Sequence, residues 1–493
     1  MLLFLTLLIP FLYFYQFWFP AVWSPNEAFY ADSTRRMLQS GDFITPYYNG
    51  ELRLEKPPMT YWLVALGYWI FGVNELGLRF MHVLLALLTG VLTALMAYEL
   101  TKDKRTALLS FGTLTLSIQF FANGHYASPE IPFTFFITLS LFFWLLYYTR
   151  GLNAFLLLAF ISSSFAMLVK GIAGFVLPAG VVFFYLLFTN PKELLKLRYY
   201  TLTLLALALG LWWHIYQFAT KGEVFWKVFY KENIARIIKG KEPFYFYLLD
   251  MNVSFLPYSF LFFFALAWAL IKVKRELGFF VVWFAFVYGV FSLVKSKIPV
   301  YVLPAFPALS VLTSAFVLSH DWQRIKNHSS LLISLLLSLA IVVGTFYFSL
   351  SYALLLLSLL PLLVFFKDYR LSPLAGGIAL VLFLKLGIAP YLEEKRKVKE
   401  LGFYIRELDP SGSLPTYQVG GFNHSLPFYA ERRIYRNVEP KKGSIVVYRE
   451  GTFEGCEPKK SFVLYTGSES RLFKFLLDSK KNKNFSTFFV CLY

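Results

Sequence analysis

Charge is scarce in this chain of 493 residues. Asp, Glu, Lys and Arg together make up 15%, against 57% hydrophobic residues and 20% aromatic ones. That shortage excludes an ordinary soluble domain, whose surface needs far more polar cover. Cysteine is nearly absent too, with only Cys456 and Cys491, which excludes a disulfide-dense scaffold. The six histidines include no pair at zinc-ligand spacing. There is no Gly-rich phosphate cradle and no nucleophile elbow, so nothing supports a nucleotide-driven reaction. Soluble repeats and low-complexity segments are also missing.

What the chain has instead is long apolar runs. About 20 apolar residues in helix cross a hydrocarbon core of about 30 Å. Spans are expected near 2–20, 77–99, 105–122, 130–148, 153–169, 172–188, 199–217, 252–271, 277–294, 299–318, 329–346, 349–366 and 374–390, about thirteen in all. The first lacks the basic start and small-residue cleavage site of a signal peptide and reads as a helix.

Short loops on one side carry Lys102, Lys104, Arg105, Arg150, Lys192, Lys196, Arg198, Lys272, Lys274, Arg275, Arg324, Lys326, Lys367 and Arg370. Those on the other carry only Lys170, Lys295 and Lys297. Cations accumulate on the cytoplasmic side, so the second side is expected to be external. It also receives the long segments 21–76 and 218–251 and the region 391–493. The expected fold is therefore an all-α polytopic membrane domain over 1–390, with external helices along the membrane surface. A small α/β domain follows over 391–493, with strands near 444–448, 461–465 and 485–493 and helices near 393–407 and 468–478. Cys456 and Cys491, both in that tail, could pair or stay free thiols.

The net charge of +18 includes basic residues in external loops, where the topology rule disfavours them. That points to an anionic ligand such as a lipid phosphate. Nucleic acid does not fit, because the cations form no continuous stripe.

Two acidic sites share a design. Ser24-Pro25-Asn26-Glu27 opens a loop helix and Ser128-Pro129-Glu130 opens the fourth span. Both suit plain helix capping, with Ser24 and Glu27 as a capping box. Both also suit a pair of carboxylates at the rim of one cavity, able to take a proton and position an acceptor. Three basic motifs lie on the same side: Glu55-Lys56-Pro57, Lys170-Gly171 and Lys295-Ser296-Lys297-Ile298-Pro299-Val300-Tyr301. Each Lys alone could be a snorkelling side chain. Together with Arg236, in Glu232-Asn233-Ile234-Ala235-Arg236, they form a set suited to phosphate.

In these stretches the chain resembles the GT-C membrane glycosyltransferases that use polyprenyl-phosphate sugars. The lipid A aminoarabinose transferases are nearest, with the galacturonic acid transferases related and the protein O-mannosyltransferases more distant. The similarity runs in order through residues 1–310, over Asn26 to Ala31, Met37 to Asp42, Glu55-Lys56-Pro57, Tyr126 to Phe135, Lys170-Gly171, Glu232 to Arg236 and Lys295 to Pro304.

The resemblance implies a sugar donor on undecaprenyl or a similar prenyl phosphate, and lipid A or another envelope lipid as acceptor. It implies action at the periplasmic face of a bacterial inner membrane, as a monomer. Lys56 and Arg236 would hold the departing phosphate, with Glu55 beside them. Lys170 and Lys295 or Lys297 would help with donor or acceptor phosphates. Glu130 would line the acceptor side, and Tyr301 would orient the donor. Two positions depart from the family. Asn26 stands where the family has Asp, so any base role shifts to Glu27 or disappears. Asn233 stands where the aminoarabinose transferases have a His beside a metal, so no zinc and no other cofactor is expected. Transfer to protein hydroxyls is the alternative acceptor chemistry. A flippase is disfavoured because transporters place ionisable residues near mid-membrane, whereas here they gather at one rim.

Overall fold

The computed structural model describes residues 1–272 and 275–493. Lys274, counted above among the cations of one side, lies outside them, as does the side chain of Arg275. Among the described residues seven helices are long and apolar enough to cross a membrane: Glu75–Thr101, Glu130–Arg150, Asn153–Lys170, Leu197–Lys221, Pro299–Leu318, Gln323–Tyr347 and Tyr369–Glu393. Six shorter apolar helices accompany them: Leu2–Phe14, Met59–Phe71, Ala173–Thr189, Leu261–Lys272, Gly278–Leu293 and Tyr352–Lys367.

Two expected spans are interrupted, and the breaks face one another. The stretch 105–122 divides into helices Lys104–Thr115 and Ile118–Gly124. The stretch 252–271 divides around Pro257, leaving helices Phe246–Ser254 and Leu261–Lys272. Proline has no N–H to give the ladder, and the carbonyl of Leu256 beside it accepts instead from Ile118 N at 2.8 Å. Each break thus supplies what the other lacks.

At one end of the bundle the loops are tied to each other. Arg150 bonds Glu99 at 3.1 Å and Arg198 bonds Asn153 at 2.5 Å. Lys272 pairs with Asp321 at 3.5 Å. The opposite end carries the long segments and the C-terminal domain.

Segment 21–76 contains helix Asn26–Ser40, a short hairpin of β1 (Tyr47–Tyr48) and β2 (Glu51–Leu52), and helix Met59–Phe71. The hairpin turns at Asn49 and Gly50, both at positive φ (51° and 78°), as a two-residue turn between twisted strands requires. Helix Met59–Phe71 buries Tyr61, Val64 and Tyr68 and leaves Trp69 and Ile70 exposed. It lies hard against Glu75–Thr101, since a Cβ on Gly67 would stand 2.0 Å from Gly77 O. Small residues allow this approach.

The C-terminal domain is a five-stranded sheet in the order β4-β3-β5-β7-β6, formed by β3 (Thr416–Val419), β4 (Ile434–Arg436), β5 (Ile445–Arg449), β6 (Lys460–Tyr465) and β7 (Phe485–Leu492). The first three pair in parallel, and β7 runs antiparallel to β5 and β6. Cys456 and Cys491 form a disulfide. The sheet shares one buried cluster with the long segment, in which Leu401, Ile405, Leu426 and Ile434 pack with Ala21, Val22, Val64 and Tyr68. The domain is seated on the membrane half rather than tethered to it.

Candidate active site

Between these long segments and the ends of the spans lies a cavity of about 970 Å3. Its apolar wall includes Phe121, Phe133, Ile172 and Val290, and its polar wall holds most of the anticipated charges.

One cluster is built from three separate elements. Lys56 follows the hairpin and precedes Pro57 and Pro58, whose fixed φ leaves the strap little freedom. Its Nζ donates to Glu232 Oε2 at 3.0 Å and to Glu55 O at 3.1 Å. Glu232 sits on a widened helical turn, Tyr230–Ile234, that leads into Ala235–Ile238. Four residues on, Arg236 lies on the same face and pairs with Glu232 Oε2 at 2.9 Å. Arg236 Nη1 also donates to the Tyr301 hydroxyl at 2.7 Å. Burial draws the Lys56 ammonium below the usual lysine range, against the pull of Glu232. Burial also works to raise Glu232, but Lys56 and Arg236 outweigh it and hold the carboxyl below its ordinary value.

A second cluster faces the first. Glu130 is the first residue of helix Glu130–Arg150, and Lys170 the last of Asn153–Lys170. Each charge suits its helix end, and the two side chains form an ion pair. Lys170 Nζ stands 5.1 Å from the Phe133 ring and 5.4 Å from the Tyr301 ring, so Tyr301 lies between the clusters. Gly171, at φ 70°, turns the chain away at the cavity wall.

Lys56, Glu55, Arg236, Glu130, Lys170, Tyr301 and Asn26 all line this space. Glu27 does not, which corrects its expected role. It is fully buried, with Arg79 Nε on Oε1 at 2.7 Å and Arg79 Nη2 on Oε2 at 2.6 Å. Ala127 N and Trp23 N complete its shell at 2.9 Å each. A carboxylate with both oxygens doubly engaged has no lone pair left for an acceptor proton. The capping box does not form either: Pro25 occupies the N-cap position with no side-chain cap, and Glu27 reaches back to Trp23 rather than to Ser24.

Lys295 and Lys297 are a second correction. Lys297 is buried and donates to Val294 O at 2.6 Å and Glu242 O at 3.3 Å. The backbone of this segment matters more than its ammonium groups, because Lys295 N and Ser296 N bond Ile237 O and Arg236 O at 3.2 and 3.1 Å. The lysine segment therefore braces Arg236 instead of facing the cavity.

Several lining residues lack a sequence signal of their own. Arg53 lies 3.8 Å over the Phe29 ring and 3.6 Å from Glu55. Lys385, in an apolar span, donates to Tyr15 O and reaches His125 Nε2 at 3.2 Å. The C-terminal domain contributes Glu469 and Ser470 to the rim. Glu469 accepts from Ser24 N at 3.0 Å, and Ser470 bonds Tyr126 at 3.0 Å. Among the described residues no three His, Cys, Asp or Glu side chains gather to hold a metal. The Asn233 amide, which also lines the cavity, donates to Phe229 O at 3.0 Å and offers no imidazole.

The chain is similar to several known proteins. Residues 1–226 match the family model of the dolichyl-phosphate-mannose-protein mannosyltransferases. An uncharacterised protein of Aquifex aeolicus strain VF5 is 55% identical over 496 residues, covering 99% of each chain. The undecaprenyl phosphate-alpha-4-amino-4-deoxy-L-arabinose arabinosyl transferase of Pseudomonas aeruginosa strain LESB58 is 32% identical over 309 residues, 59% of this chain and 55% of that one. The chain thus spans about half the length of that relative. In fold it is similar to the crystal structure of ArnT from Cupriavidus metallidurans bound to undecaprenyl phosphate, with TM-score 0.77, 19% identity and coverage of 91% and 93%. The archaeal oligosaccharyltransferase AglB from Archaeoglobus fulgidus shares the fold more distantly, at TM-score 0.54 and 13% identity, with 91% of this chain and 69% of that one covered. A polytopic bundle with one charged cavity, these relatives and this fold together give the chain a GT-C fold, ArnT-like in architecture.

Proposed function

We propose that the protein transfers a sugar from an undecaprenyl-type phosphate to lipid A or a related envelope lipid at the periplasmic face of a bacterial inner membrane. In this reading residues 1–390 carry the transfer and 391–493 form a periplasmic domain. The observation that supports it most is the convergence of Lys56, Arg236 and Tyr301 on one wall, opposite Glu130 and Lys170. An acceptor oxygen attacks the anomeric carbon and forms the new glycosidic bond. The bond from that carbon to the phosphate oxygen breaks, and its electron pair leaves with the prenyl phosphate.

Phosphate is already a good leaving group, so the protein's work is to position the partners, neutralise charge and exclude water. Lys56 and Arg236 receive the growing phosphate charge, and the Tyr301 hydroxyl holds the Arg236 fork in place. A hydroxyl acceptor gives its proton to Glu130, while a lipid A phosphate is already ionised and gives up none. Asn26 is an uncharged positioning group at the acceptor side, and Glu27 acts only through the Arg79 pair.

The test offers purified protein undecaprenyl-phosphate aminoarabinose or a uronic acid analogue, with lipid A, and follows the mass of the lipid. A mass gain equal to one sugar, abolished by Lys56→Ala, is the expected result. Transfer to a Ser/Thr peptide with none to lipid A would overturn the assigned acceptor.

A further inference from the structure

Glu232 is the part of the site that phosphate binding alone does not call for. It places a carboxylate on the two cations best suited to a phosphate, with Lys56 at 3.0 Å and Arg236 at 2.9 Å on the same oxygen. Its other oxygen takes Arg236 Nη2 at 3.1 Å. The other charges that line the cavity lie outside this cluster: Lys170 pairs with Glu130, Arg53 with Glu55 and Glu469 with Arg396, while Lys385 is held by Tyr15 O and His125. Lys231, the preceding residue, is exposed to solvent. The seat therefore holds two positive charges against one negative charge, and a single positive charge is left over.

That remainder matches one substrate state and mismatches the other. A sugar linked to a prenyl phosphate is a phosphodiester with one negative charge. Once the sugar has left, the prenyl phosphate is a monoester carrying about −1.5 to −2 at pH 7, by the same chemistry as a phosphorylated side chain. We infer that Glu232 sets the site's preference for the singly charged diester over the doubly charged monoester, and so drives release of the spent carrier. Resting on the donor assigned above, this makes Glu232 a specificity-determining residue for carrier phosphate charge. In the free site the carboxylate stands in for the phosphate. It yields one cation contact to a monoanion, and it repels a dianion.

The experiment measures binding of undecaprenyl phosphate and of its methyl ester to full-length protein in nanodiscs. The former is the monoester and the latter a diester that cannot transfer. Wild type, Glu232→Gln, Glu232→Asp and Lys56→Ala are compared by tryptophan fluorescence and by a competition assay. In wild type the diester should bind at least as well as the monoester. Glu232→Gln should tighten the monoester by about tenfold or more and the diester by clearly less, because the removed charge acts once on a monoanion and about twice on a dianion. Glu232→Asp should keep the wild-type ratio. In turnover Glu232→Gln should show a lower kcat and stronger inhibition by product.

An unchanged ratio in Glu232→Gln, or equal weakening of both ligands, would overturn the inference and leave the donor assignment standing. If neither ligand bound wild type in a way that Lys56→Ala removes, the donor assignment itself would fall, and the inference with it.

Discussion

Glu27 and Lys56 separate two kinds of charge that look alike in a sequence. Glu27 and Arg79 are both wholly enclosed and bond each other at two points. Removing one partner of such a pair leaves the other buried and uncompensated, at a cost of about 3–5 kcal/mol. Arg79→Met should therefore lower the thermal unfolding midpoint of the purified protein sharply, and adding Glu27→Gln to it should recover much of the loss. Lys56→Ala, at the cavity wall, should leave that midpoint nearly unchanged and abolish transfer.

The Lys56 ammonium also has a pH signature. Its value is held below the ordinary lysine range by burial, and phosphate binding needs the charged form. Its contribution is present at low pH and is lost as pH rises through that lowered value. The alkaline limb of kcat/KM, which reports the free enzyme, should fall earlier than a free lysine predicts. Lys56→Arg should move that limb upward, because guanidinium keeps its proton. A limb at the same pH in both proteins would mean that another group titrates there.

The sequence made Lys170, Glu130 and Tyr301 visible because they stand at span ends, and Lys56 and Arg236 visible because they stand in the long segments between spans, where the topology rule disfavours cations. Arg79 and Lys385 were hidden because each is a single cation within an apolar run, and their partners lie far away in the chain. Glu232 was visible only as part of its motif, since nothing local tells which cation it holds.

At the level of elements, the helix that begins at Asn26 is aimed by residues far downstream. Arg396 is buried and donates to Ala21 O at 2.8 Å, Val22 O at 2.7 Å and Glu469 at 2.8 Å. Glu469 in turn holds Ser24 N, and Ser470 N bonds Ser24 O at 3.1 Å. This clasp fixes the strap 21–24 between the C-terminal domain and the cavity rim. Replacing Arg396 by Met removes its bonds to Ala21 O, Val22 O and Glu469, and leaves those acceptors only Arg79, the Ser425 hydroxyl and Ser24 N respectively. The expected outcome is a fall in kcat of at least tenfold with prenyl phosphate affinity little changed, because Lys56 and Arg236 belong to other elements. Equal losses in both would show that the clasp supports the whole cavity.

Periodicity could not reveal this arrangement. It found most spans, the helix after Pro25 and three strands of the sheet. The short parallel strands β3 and β4 escaped because three or four residues carry too little pattern. The breaks at Ser117 and Pro257 escaped because an apolar run reads as continuous even where the backbone leaves the helix.

Across the whole molecule, the direction of insertion decides which leaflet supplies the donor. The loops with Lys102, Arg150 and Arg198 lie together at the end away from the cavity, and the positive-inside rule predicts that this end faces the cytoplasm. At the cavity end Lys56, Arg236 and Lys170 are built into carboxylate pairs. They are accounted for as site residues and need not signal topology. Both native cysteines are paired, so they give no background to a thiol reagent. Lys441 and Lys192 are exposed at opposite ends of the molecule. With a membrane-impermeant maleimide on cells whose outer membrane is permeabilised, Lys441→Cys should label at once. Lys192→Cys should label only after the inner membrane is opened. The reverse pattern would turn the cavity toward the cytoplasm, and the donor would then have to come from the inner leaflet.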